Sequence, residues 1–186
     1  MPRLFVGLEI PTDIGERLSS LRGGLPGARW ISAENYHLTL RFIGDIDGRT
    51  AEEVDAALAE ARPRHPVTIS FDSLDSFGGD RPHAVIARVR MTRELAELQA
   101  EIERIVRRAG LPPERRKFVP HVTVARLRNT HPIDVAAYLT ARGHFPRFEF
   151  SADRVSLFSA REITGGGPYV VEAVYPLDGA DMLAYR

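Results

Sequence analysis

The chain has no cysteine, so neither a disulfide nor a thiol nucleophile figures in its chemistry. It has no excess of one charge either. Twenty-five basic residues balance 25 acidic ones, which excludes a scaffold that coats long nucleic acid through a global basic field. No run of about 18 apolar residues is present, and the short apolar opening is broken by Glu9 with no cleavage site after it. Membrane insertion and export are therefore not expected, and the cytoplasm is. The H-E-x-x-H, G-x-S-x-G and G-x-x-x-x-G-K-[ST] patterns are missing as well, which removes zincin, serine-hydrolase and P-loop readings. With 186 residues, 44% of them hydrophobic, the chain can close its own core, and its length favours one domain, 1–186, with room for two lobes.

What stands out instead is a pair of tripeptides, His37-Leu38-Thr39 in YHLTLRF and His121-Val122-Thr123 in PHVTVAR. Chance would place only about 0.3 His-x-Thr matches in a chain of this composition. Each lies in a strand-like apolar run, so the His and Thr side chains share one pleat face while Leu38, Leu40, Val122 and Val124 point into a core. Two imidazoles with an ordinary pKa of about 6.5 can supply a neutral base and a protonated acid together near neutral pH. Each threonine adds a hydroxyl donor for a non-bridging phosphoryl oxygen as negative charge builds. The pattern suits metal-free phosphodiester chemistry. Zinc wants three or four protein ligands, and no His-rich cluster offers them.

Apolar spacing predicts a helix capped by Thr12 with Ile14, Leu18 and Leu21 on its inner face, ended by Gly23-Gly24. A T-x-x-E box at Thr50 and Glu53 opens a second, Leu95 to Val106 mark a third, and a fourth follows Asp134. Strands are expected over 3–10, 36–43, 66–71, 83–90, 119–126, 147–151, 153–158 and 169–175. Helices and strands mix without steady βα alternation, which favours an α+β fold of two antiparallel sheets with helices on their outer faces.

The positions five after each histidine are Phe42 and Arg126, a ring and a guanidinium plane, both able to stack on a base. An offset of five switches pleat faces, so a bulge, twist or strand end must redirect these side chains; otherwise Phe42 is simply core. Arg41, at an offset of four, keeps the His37 face and either touches substrate or lies at a wet rim. Arg115, Arg116 and Lys117 before the second motif, with Arg126 and Arg128 after it, form a local basic cluster that reads as a steering patch or as a solvated loop. His65, His83, His131 and His144 lack the strand-plus-threonine context and read as surface or structural residues. Gly165-Gly166-Gly167-Pro168 reads as a turn, flanked by Ser159 and Tyr169 as possible substrate contacts, and Trp30 as a packing anchor.

Together with RLFVGLEIP, RWISAENYHLTLRFIGDI, KFVPHVTVARLR and LFSAREITGGGPYVV, the two motifs resemble the 2H phosphoesterases, in particular the bacterial and archaeal RNA 2',3'-cyclic phosphodiesterases once described as 2'-5' RNA ligases. The resemblance implies a bilobal fold with a pseudo-two-fold axis, whose two antiparallel sheets line a central cleft. It implies hydrolysis of a terminal 2',3'-cyclic phosphate to a 2'-phosphate, with His121 as base, His37 as acid, and Thr39, Thr123 and Arg126 on the phosphate. RNA ends or nucleoside 2',3'-cyclic phosphates are the implied partners, with no cofactor, no metal and a monomer expected. Ligation to a 2'-5' linkage, opening of another cyclic phosphate, and a non-catalytic nucleotide- or RNA-binding module are the competing functions.

Overall fold

The computed structural model describes residues 3–61, 65–142, 144–161 and 166–177. Gly165 of the glycine turn lies outside the described residues. Among the described residues there are nine strands: β1 (Arg3–Glu9), β2 (Ala28–Trp30), β3 (His37–Asp45), β4 (Val67–Phe77), β5 (Ala84–Val89), β6 (His121–Leu127), β7 (Phe148–Ala152), β8 (Arg154–Ala160) and β9 (Tyr169–Pro176). The described residues also form four α-helices: α1 (Thr12–Ser19), α2 (Gly48–Ala59), α3 (Arg93–Arg108) and α4 (Pro132–Ala141). None of the described helices is long and apolar enough to cross a membrane.

All strand pairs are antiparallel, in the order β7-β4-β5-β6-β3-β1-β8-β9, with β2 added on β6. The two expected sheets are the halves of this array. One is β6-β5-β4-β7, the other β3-β1-β8-β9, and they meet along a seam of a single bridge pair, Leu38 with Val122. The halves match strand for strand about that seam, which puts the two motif strands side by side at the centre. Leu38, Leu40, Val122 and Val124 are buried in the core beneath, as alternation required.

The helices cover that buried face. α3 buries Leu95, Leu98, Ile102, Ile105 and Val106 at helical spacing, packs on α2 and reaches β3 and β4. Thr92 caps it by accepting the N–H of Leu95 at 3.2 Å. α2 starts two residues before the expected box: Asp47 is the cap and accepts the N–H of Thr50 at 2.7 Å, because a carboxylate in the DGRT run competes with the threonine hydroxyl for the same end. Thr12 is likewise the first helical residue of α1, which follows Pro11 without a side-chain cap and ends at Ser19, ahead of the glycines. His131, at the surface, caps α4 through Nδ1, and Trp30 packs its ring on Tyr138 with centroids 5.7 Å apart.

Candidate active site

Both motif strands contain the irregularity that the five-residue offset demanded. In the β1–β3 ladder Gly7 pairs with Thr39 and Val6 with Arg41, so Leu40 has no partner. In the β5–β6 ladder Ile86 pairs with Thr123 and Val85 with Ala125, so Val124 has none. Each bulge sits three residues after its histidine. An extra residue reverses the alternation beyond it, which returns Phe42 and Arg126 to the faces of their His and Thr. Phe42 is 40% exposed and lines the cleft with Thr39, Phe77 and His121, so it is not core. Gly7 fits opposite the first bulge because a Cβ there would lie 2.6 Å from the carbonyl oxygen of Leu38.

The same bulge overturns the reading of Arg41 as a rim residue in water. Turned inward and only 7% exposed, it pairs with Glu103 of α3 at 2.5 Å and donates to the carbonyls of Phe42 and Pro112. It is not a wet rim residue, although it still lines the recess that Thr39, Phe42 and His121 share. A buried guanidinium needs such partners, and here they fasten the loop before β6 to β3.

The two imidazoles are held alike. His37 Nδ1 lies 3.0 Å from the carbonyl oxygen of Asn35, and His121 Nδ1 lies 2.6 Å from that of Val119. A carbonyl can only accept, so each Nδ1 carries the proton and each Nε2 remains for other business. Ring contacts fix the planes. His37 stands edge-on to Tyr169 at 4.7 Å and against Phe5 at 4.6 Å, and His121 meets Phe77 edge-on at 4.8 Å.

Asn35 links the glycine turn to His37. Its Oδ1 accepts the N–H of Tyr169 at 3.2 Å, and a Cβ on Gly167 would come within 2.5 Å of its side chain. The Tyr169 hydroxyl in turn accepts the N–H of Gly166 at 2.9 Å. Tyr169 therefore braces the His37 ring. Ser159 is buried and donates to Glu172 at 2.5 Å, turned to the β9 neighbour. Nothing in the sequence marks Asn35 for this, since it is the backbone carbonyl that holds the ring, and a valine does the same for His121.

Electrostatics run against charging either ring in the free protein. Burial lowers the pKa of His37 to about 4, aided by the positive charges of His121 and Arg126. Burial lowers that of His121 too, with Arg126 and Arg88 contributing. Arg126 thus acts on both histidines, and its buried Nε has no hydrogen-bond partner among the described residues. Such a group waits for an acceptor. Among the described residues no three or more His, Asp or Glu side chains gather to hold a metal. His65, His83, His131 and His144 are all exposed.

A stability prediction follows from His37. In the unfolded chain its ring binds a proton below about pH 6.5, whereas in the folded chain it does so only near pH 4. Stability from this source is present above about 6.5 and falls as pH drops toward 4, by at most about 3 kcal/mol. Urea unfolding at pH 7, 5.5 and 4 should show a smaller acid loss for His37→Gln than for the wild type; parallel losses would refute the depressed pKa.

The comparisons with known proteins agree with one another. The family model described as the 2'-5' RNA ligase superfamily matches residues 10–163. A protein of Bacillus subtilis (strain 168) named RNA 2',3'-cyclic phosphodiesterase is 30% identical over 130 residues, covering 67% of this chain and 71% of its own. One of the same name from Thermotoga maritima is 30% identical over 174 residues, covering 89% and 90%. The crystal structure of E. coli LigT complexed with 3'-AMP superposes with a TM-score of 0.74 at 21% identity, over 95% of this chain and 99% of that one.

Proposed function

Because this chain belongs to the 2'-5' RNA ligase superfamily, we propose that it is an RNA 2',3'-cyclic phosphodiesterase that opens a terminal 2',3'-cyclic phosphate to a 2'-phosphate. The observation that carries this reading is the pair of His-x-Thr strands with matching bulges, each imidazole tied by Nδ1 to a backbone carbonyl. The proteins of that name in Bacillus subtilis and Thermotoga maritima support it.

His121 Nε2 takes a proton from water as the water oxygen attacks phosphorus in line, and His37 Nε2 gives its proton to the departing 3' oxygen as the P–O3' bond breaks. The Thr39 and Thr123 hydroxyls and Arg126 Nε hold the non-bridging oxygens, and Phe42 faces the base. His37 is neutral in the free protein at neutral pH, so the substrate must charge it. An anionic phosphate between the rings favours the imidazolium and opposes the effect of burial, so proton uptake accompanies substrate binding. Arg126 lowers that gain for an empty site and loses the effect once its charge is spent on the phosphate. We propose a cytoplasmic monomer as the working form.

The deciding assay follows RNA ended by a 2',3'-cyclic phosphate, with mapping of the phosphate in the product. A 2'-phosphate is expected, and a 3'-phosphate or an unopened ring refutes the reading. Excess EDTA should leave the rate intact, because two proton shuttles and hydroxyl and guanidinium donors supply the whole reaction. Loss on chelation with recovery on added zinc or manganese would overturn the metal-free mechanism.

A further inference from the structure

Two recesses near the motif histidines differ in charge. Behind His37, a recess of about 370 Å³ is lined by Glu9, Glu16 and Glu34, with no lysine or arginine among its lining residues. On the His121 side a second recess of about 370 Å³ is lined by Thr39, His121, the Phe42 and Phe77 rings, Arg116 and Lys117, with Glu114 as the one carboxylate among its lining residues. Arg116 reaches Glu114 at 3.3 Å, but it is 77% exposed, and a pair so open to water is weak and leaves the guanidinium able to turn. Lys117 is exposed and has no ion pair among the described residues.

The loop bearing these cations is held in place. Glu103 accepts the N–H of Glu114 at 3.0 Å while pairing with Arg41, and Arg41 also binds the carbonyl of Pro112. A polyanion leaving the two histidines therefore meets carboxylates on one side and two exposed cations on a braced loop, beside exposed aromatic surface, on the other.

Resting on the reading of the site as an RNA-end phosphodiesterase, we propose that the single strand preceding the terminal nucleotide leaves over the loop before β6, where Arg116 and Lys117 bind its backbone phosphates. The protein then favours RNA ends over isolated nucleoside cyclic phosphates. Neither cation touches the terminal phosphate. Their contribution is to the second nucleotide and beyond.

The test compares a short single-stranded RNA ending in 2',3'-cyclic phosphate with a nucleoside 2',3'-cyclic phosphate, for the wild type and an Arg116→Ala, Lys117→Ala double variant over a range of salt. Binding of a 3'-phosphate-ended oligoribonucleotide is followed in parallel by fluorescence anisotropy. The kcat/KM for RNA should fall about tenfold, and its log–log salt slope should flatten by about 1.4, the value for two single-strand phosphate contacts. The nucleoside value should stay unchanged. An equal loss on both substrates places the cations at the terminal phosphate, and an undiminished RNA value sends the strand elsewhere; either overturns the proposal. If the wild type opens neither substrate, the proposed function fails. The binding arm then still decides the subsite, which is lost if the double variant holds the oligonucleotide as tightly as the wild type.

Discussion

Replacing either His37 or His121 by alanine is expected to lower turnover by roughly 10²-fold or more, because each removes one end of the proton path. The double variant should be little worse than the poorer single one, since a base without an acid, or an acid without a base, leaves the same step uncatalysed. The two substitutions differ in their side effects. His37 packs on Phe5, Phe158 and Tyr169, so its loss opens a gap in an aromatic cluster, while His121 makes one edge-on contact with Phe77. Circular dichroism and urea unfolding establish that the variants fold, and His37→Gln serves where His37→Ala does not. A folded variant at either position with near wild-type single-turnover rates would exclude the acid–base pair.

The second large effect is expected at Arg126. A charge-assisted hydrogen bond from the buried Nε to a phosphoryl oxygen is worth about 1.5–3 kcal/mol, so Arg126→Ala should cost about 10- to 100-fold in kcat/KM. Lysine keeps the charge and loses the planar fork and the inner nitrogen. Arg126→Lys should therefore be impaired almost as much as the alanine variant. Removing the guanidinium also relieves part of the pressure on both imidazoles, so alanine should raise the apparent pKa of each histidine in an NMR titration. Recovery of wild-type efficiency by lysine would reduce Arg126 to an electrostatic bystander, and a harmless alanine would remove it from the site.

Eight of the described strands overlap a run legible in the sequence, but β4 continues to Phe77, beyond the expected end at 71, because its alternation fades there, and β2 is too short at three residues to show any pattern. The histidine motifs were readable because they lie in such runs. What could not be read were the bulges. Leu40 and Val124 are ordinary strand residues, and the extra backbone turn is set by Gly7 and by the neighbours in β1 and β5, which are distant in sequence. The offset of Phe42 and Arg126 required some irregularity, yet Arg41 was placed as though none existed. Its burial depends on Glu103, 62 residues away, and on the carbonyl of Pro112. The starts of α1 and α2 moved for a more local reason, as Pro11 and Asp47 each lay within reach of the better-looking Thr12 and Thr50.

The strand order also fixes a sequence of events during synthesis. The half built from β4, β5, β6 and β7 uses one uninterrupted stretch, residues 67–152, and can close while later residues are still being added. The other half takes β1 and β3 from the beginning of the chain and β8 and β9 from its far end. Until Arg154–Ala160 has emerged from the ribosome, β1 has one edge with no neighbour, and an unpaired apolar edge is an invitation to other nascent chains. Bringing Arg3 to Ala160 is among the longest loop closures in the fold. The half that carries His37 is thus the one that depends on strands made after residue 153.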